Sequence, residues 1–236
     1  MKAFSELYEE LDTTTSTNLK VDAMVRYFKS APPADAAWAA YILSGHRLKR
    51  FIGPALLYRW LIEECGLPQW LVEESRASVG DLAETIALLT ESDGDGSARR
   101  APEVSLSVWL EERLLPLRAE DETRQRAAVV NWWHTLPYRE SFLVNKFLTG
   151  ELRVGVPAGD VTAAAAPVSA LLVTRALSEV LSMPRADVTR RLMGNWFPSA
   201  DFWESLRFGR SSCARPVGSL PLLPRVVFGR RPGYVG

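Results

Sequence analysis

Phe4, Leu7, Tyr8 and Leu11 recur at i, i+3, i+4 and i+7, and Val21, Met24, Val25 and Phe28 repeat the stripe. Between them, Thr13 to Thr17 is a run of hydroxyls that offers several helix N-caps. Such a stripe buries one face of an α-helix, and a strand cannot use it. The simplest reading is two antiparallel helices. Pro33 with Asp35 opens a third helix through Leu43. Pro54 begins a fourth that Gly66 stops, and Gly80-Asp81 introduces another over Leu82, Ile86 and Leu89. After the polar, Gly-rich stretch at 91–101, the helical pattern resumes near 104–118, 120–135, 138–149, 170–182, 187–194 and 199–207. No run of alternating β-branched residues marks a sheet. The expected fold class is therefore all-α, with ten to twelve helices in two layers.

Charge narrows the functional classes. The 236 residues carry 28 basic and 28 acidic side chains. Residues 207–236 hold six arginines and no acid, which leaves 22 basic against 28 acidic residues in 1–206. Composition alone does not suggest a nucleic-acid binder, because that affinity comes mostly from neutralising phosphates. The apolar runs fall far short of the roughly 20 residues of a membrane span. Early Glu6, Glu9 and Glu10 exclude a secretory signal. Cys65 and Cys213 stand far apart without metal-ligand spacing, which fits a reducing cytoplasm.

Little in the chain has the pattern of a catalytic centre. His46 and His134 have no Ser or Cys partner suggested by spacing, and Trp132-Trp133-His134 reads as a packing face. Glu63-Glu64, Glu73-Glu74 and Glu111-Glu112 are adjacent pairs that diverge around a helix, so they read as solvated faces. The cluster His46-Arg-Leu-Lys-Arg50 is different. It follows Gly45 at a helix end and leads to Pro54, which puts Arg47, Lys49 and Arg50 on a loop able to reach a phosphate backbone.

Several segments together resemble one known pattern: Phe4-Ser-Glu-Leu-Tyr, Ser16-Thr-Asn-Leu-Lys-Val, F-L-T-G-E-L-R-V-G-V from Phe147, L-V-T-R-A-L-S-E-V-L from Leu172 and R-L-M-G-N-W-F-P-S-A from Arg191. Over roughly residues 1–206 the chain resembles the N-terminal DNA-binding domain of bacterial ATP-dependent DNA ligases. The resemblance implies a compact helical domain that holds nicked duplex DNA, without base readout, in repair and recombination. It implies phosphate contact by Arg47, Lys49, Arg50 and Arg153, with Gly155 allowing close backbone approach before a helix N-terminus. Lys146 and Arg175 would complete that face. Arg190-Arg191 offers a further basic pair. The partner is duplex DNA, with no membrane and no small-molecule substrate, and the location is cytoplasmic.

Two departures from the pattern bear on activity. Pro157–Val168 reads as an insertion, since joining Val156 to Ser169 restores the family pattern. The segment 207–236 reads as an irregular, Gly- and Pro-rich tail. A one-base shift of permissible codons turns Ser219–Arg225 into P-Y-P-F-F-L-A, so a frameshifted, truncated ligase gene is the expectation. The adenylation motif Lys-x-Asp-Gly is absent, and Lys20-Val-Asp-Ala, its nearest match, lies inside an amphipathic helix. No catalytic residue or metal site is assigned, and this chain alone is expected to be inactive as a ligase. ATP and magnesium are expected only for the missing catalytic domain. An inert gene product and a helical protein-interaction module are the alternatives.

Overall fold

The computed structural model describes residues 1–46, 48–91, 103–150, 152, 168–194 and 196–208. Among them the molecule is all-helical, with no strand. The N-terminal stripes fold as read. α1 (Lys2–Thr13) buries Phe4, Leu7, Tyr8 and Leu11, and α2 (Thr17–Ser30) buries Val21, Met24, Val25 and Phe28. Phe4 meets Tyr27 edge-on at 5.9 Å, which sets the two helices antiparallel.

α3 (Pro33–Leu43) is covered nearly all round, with Ala36, Ala37, Ala39 and Ala40 at 0% exposure. Short alanine side chains let several helices approach this one closely, which makes α3 a central element.

α4 (Pro54–Cys65) and α5 (Gln69–Val79) end at Gly66 and Gly80, whose φ values of 62° and 79° suit glycine. The sequence pattern showed no helix over 69–79, and the reason is physical. Val72 is the one fully buried side chain of α5, so that helix carries almost no apolar stripe. α6 (Leu82–Thr90) opens on Asp81, whose carboxylate accepts from the Glu84 N–H at 3.1 Å.

The second half begins with α7 (Leu106–Val108), a π-helical turn (Trp109–Leu114) and α8 (Leu115–Leu117). Asp35 caps α7 from α3, accepting from Leu106 N at 3.1 Å, Ser107 N at 2.9 Å and Ser107 Oγ at 2.6 Å. This buried carboxylate joins the two halves of the sequence through otherwise orphaned helix-start donors. α9 (Glu122–Thr135) is capped by Asp121, and α10 (Tyr138–Thr149) follows Pro137. α11 (Val168–Leu181), α12 (Arg185–Leu192) and α13 (Ala200–Phe208) complete the described helices.

Helix packing forms two groups around one core. α11 lies on α2 and α12, and α13 on α3; α10, α4, α5 and α9 gather about α6. α1 bridges the groups through Phe4 on Phe147 at 6.4 Å and Tyr8 on Phe142 at 6.0 Å. Trp132-Trp133 is the packing face that its pattern suggested. Trp132 meets Trp109 at 4.9 Å, and the Trp133 indole donates to Asn145 Oδ1 at 2.9 Å. Glu63 and Glu64 are not merely solvated, since they pair with Arg126 at 3.0 Å and His134 at 2.7 Å across α4 and α9. Glu111 likewise accepts from the Trp38 indole at 2.7 Å.

Candidate nucleic-acid interface

α3 ends where Ser44 Oγ donates back to the Ala40 carbonyl at 2.5 Å and Gly45 takes φ 93°. The His46 ring then stacks on Tyr41 at 4.4 Å, with Trp196 edge-on to both at 5.4 and 5.7 Å. Trp196 is itself stacked on Phe202 at 3.7 Å, so these aromatic faces cover one another. They anchor the exit of α3 and are not an open platform for bases.

Beyond this anchor the chain runs without regular structure from Leu48 to Gly53 against the end of α10. The N–H groups of Phe51 and Ile52 both donate to the Leu148 carbonyl, at 3.0 and 3.2 Å. Arg50 Nε donates to the Thr149 carbonyl at 3.4 Å. The last carbonyls of a helix have no partner within it, and the negative end of its dipole favours a cation. The end of α10 therefore holds the loop and Arg50 for one reason. Gly150 closes the helix at φ 70°, and a side chain there would meet Leu48 O at 3.4 Å and Arg50 N at 3.5 Å.

Two segments a hundred residues apart in sequence thus meet on one surface. Lys49 and Arg50 are exposed, and neither has an ion pair among the described residues. Arg118, which no sequence motif singles out, donates to the Lys49 carbonyl and lays its guanidinium over the Phe51 ring at 4.2 Å. Desolvation lowers its pKa, but an arginine remains charged at neutral pH. Nothing in its spacing marks it, because its role depends on a contact 69 residues away in sequence.

The other expected site residues are placed differently. Lys146 is buried at 9% exposure, ion-paired with Asp81 and lying 5.3 Å from the Phe142 ring, so its ammonium is engaged inside the domain. Arg175 donates to Asn18 Oδ1 at 3.0 Å, at the first turn of α2. Nine residues separate Asn18 from Tyr27, roughly 13 Å along the helix, so the contact lies at the far end of the α1–α2 hairpin from Phe4 and Phe147. Arg47, Arg153 and Gly155 lie outside the described residues, as do 157–167 of the expected insertion and 209–236 of the expected tail.

A cavity of about 50 Å³ lies beneath the loop, between Ile42, His46, Leu48, Phe147 and Gly150, and Lys146 also lines it. That volume admits a few water molecules and no nucleotide base. Among the described residues no group of His, Cys, Asp or Glu is arranged to hold a metal ion. The surface offers exposed cations on a braced loop, an arrangement suited to a polyanion's backbone.

The geometry is thus a loop with two exposed cations, Lys49 and Arg50, held on the end of a helix in an all-helical scaffold. The family model described as DNA ligase N terminus matches residues 1–166, and the chain belongs to this family. Its role is accordingly DNA ligase-related. The match ends within the expected insertion 157–168. No curated protein matches the chain. None of the described helices is long and apolar enough to cross a membrane.

Proposed function

We propose that this domain binds duplex DNA at a nick, gripping the phosphate backbone without reading bases, for strand joining in repair and recombination in the cytoplasm. The observation that carries the reading is the meeting of the 48–53 loop with the end of α10, beside which Lys49 and Arg50 are exposed and without ion pairs among the described residues. Arg47 and the segment from Arg153 to Gly155 continue in sequence from the two stretches of chain that meet there. Phosphate contacts of this kind fix position and carry no sequence information. ATP and magnesium belong, on this reading, to a catalytic domain and not to this helical unit, because no lysine here stands in a Lys-x-Asp-Gly turn.

The test is competition among unrelated nicked duplexes of equal length, followed by fluorescence anisotropy at low salt. The reading expects equal affinities and a marked loss in the double variant K49A/R50A. Strong preference for one sequence, or unchanged binding by the variant, contradicts it.

A further inference from the structure

We propose that Arg118 is a positioning residue for the DNA-binding loop: it sets Lys49 and Arg50 by holding the Lys49 carbonyl and stacking on Phe51. The inference rests on the DNA-binding reading above and adds a residue from a distant part of the sequence.

The loop lacks regular structure from Leu48 to Gly53, so its shape depends on a few ties. On one side, the N–H groups of Phe51 and Ile52 and the Arg50 Nε are held by α10 carbonyls. Those ties fix the chain after Arg50. The peptide before it is fixed by Arg118, which leaves the end of α8 and donates to the Lys49 carbonyl. The same guanidinium lies 4.2 Å from the centre of the Phe51 ring, which pairs a cation with the negative face of an aromatic ring. Arg50 is thus braced from both neighbours.

A planar group serves both contacts at once, since its edge donates while its face stacks. Arg118 has no ion pair among the described residues. Cations already held in place need less ordering when DNA arrives, and this is how a residue that makes no phosphate contact raises affinity.

The experiment is a double-mutant cycle with a nicked 30-base-pair duplex, comparing wild type, R118A, K49A/R50A and the triple variant, with melting curves as the fold control. If Arg118 acts through the loop, R118A weakens binding about tenfold in the wild-type background and less than about twofold in K49A/R50A. R118K keeps the cation but not the planar group that donates and stacks at once, so it recovers only part of the loss and stays about threefold or more below wild type. An equal loss in both backgrounds shows an independent phosphate contact and overturns the proposal, and so does unchanged binding by R118A. Should R118A melt early, F51L carries the same cycle: loss confined to the background with Lys49 and Arg50 supports the proposal, and no loss overturns it. Wild-type protein that fails to bind defeats the DNA-binding reading and this inference together, whereas binding that depends on Lys49 and Arg50 but not on Arg118 defeats this inference alone.

Discussion

The N–H of Phe51 donates to the carbonyl of Leu148 at 3.0 Å, so the loop that leaves α3 is fastened to the end of α10 by its backbone, with the Arg50 Nε bond to the Thr149 carbonyl beside it. A contact made by backbone atoms tolerates many side chains. Lys49 and Arg50 remain exposed on this segment, which gives the surface its chemistry.

Gly150 is where this fastening is most sensitive. At φ 70°, with Leu48 O at 3.4 Å and Arg50 N at 3.5 Å from where a Cβ would sit, alanine brings both conformational strain and contact with the loop. G150A should cost about 1–2 kcal/mol of stability. Chemical denaturation measures the loss. Binding of nicked duplex should weaken as well, because the displaced segment carries Arg50.

Lys146 gives the opposite pattern. Its side chain is 11% exposed and that of Asp81 28%, so K146M leaves a carboxylate without its partner in a half-buried setting. Stability should fall by about 2 kcal/mol, less than for a fully buried pair. The salt dependence of DNA binding should stay as in wild type. A slope lowered by about one unit in K146M shows instead that this ammonium reaches a phosphate.

Asp35 tests the join between the two halves of the chain. Its carboxylate accepts three hydrogen bonds at the start of α7, at 2.6 to 3.1 Å. D35A strands buried donors and should cost about 3 kcal/mol, whereas D35N keeps an acceptor and should cost less. Urea unfolding of both variants checks the order.

Burial raises the pKa of Glu140 above the usual carboxylate range, with the neighbouring N-terminal ammonium pulling the other way. The folded protein therefore binds more protons than the unfolded chain from about pH 4.3 up to the raised value. The stability contributed by this group is greatest below that window and falls as pH rises through it. From pH 4 to 6, wild type should lose stability relative to E140Q in denaturant midpoints. The reverse trend contradicts the account.

The legible part of the fold was the part written in apolar spacing. The stripes of α1 and α2 and the Pro start and Gly stop of α4 follow directly from residues that bury one face, open a helix or break it. α5 was not legible, since its single fully buried Val72 gives no stripe. At the site, the exposed charges of Lys49 and Arg50 were legible because Gly45 and Pro54 bracket them as a loop. The engagement of Lys146 by Asp81, the anchoring of Arg175 on Asn18 and the brace from Arg118 were not. Each depends on a partner 65 to 157 residues away, which one-dimensional spacing cannot supply.

The most direct measurement is the affinity of wild type and K49A/R50A for nicked duplex across a series of salt concentrations. Removing one phosphate-neutralising cation should reduce the slope of log K against log salt by about one unit, so the double variant should show a slope lower by about two. Equal slopes for the two proteins, or binding by wild type that does not depend on salt, would contradict the assignment of this loop as a phosphate-contacting surface.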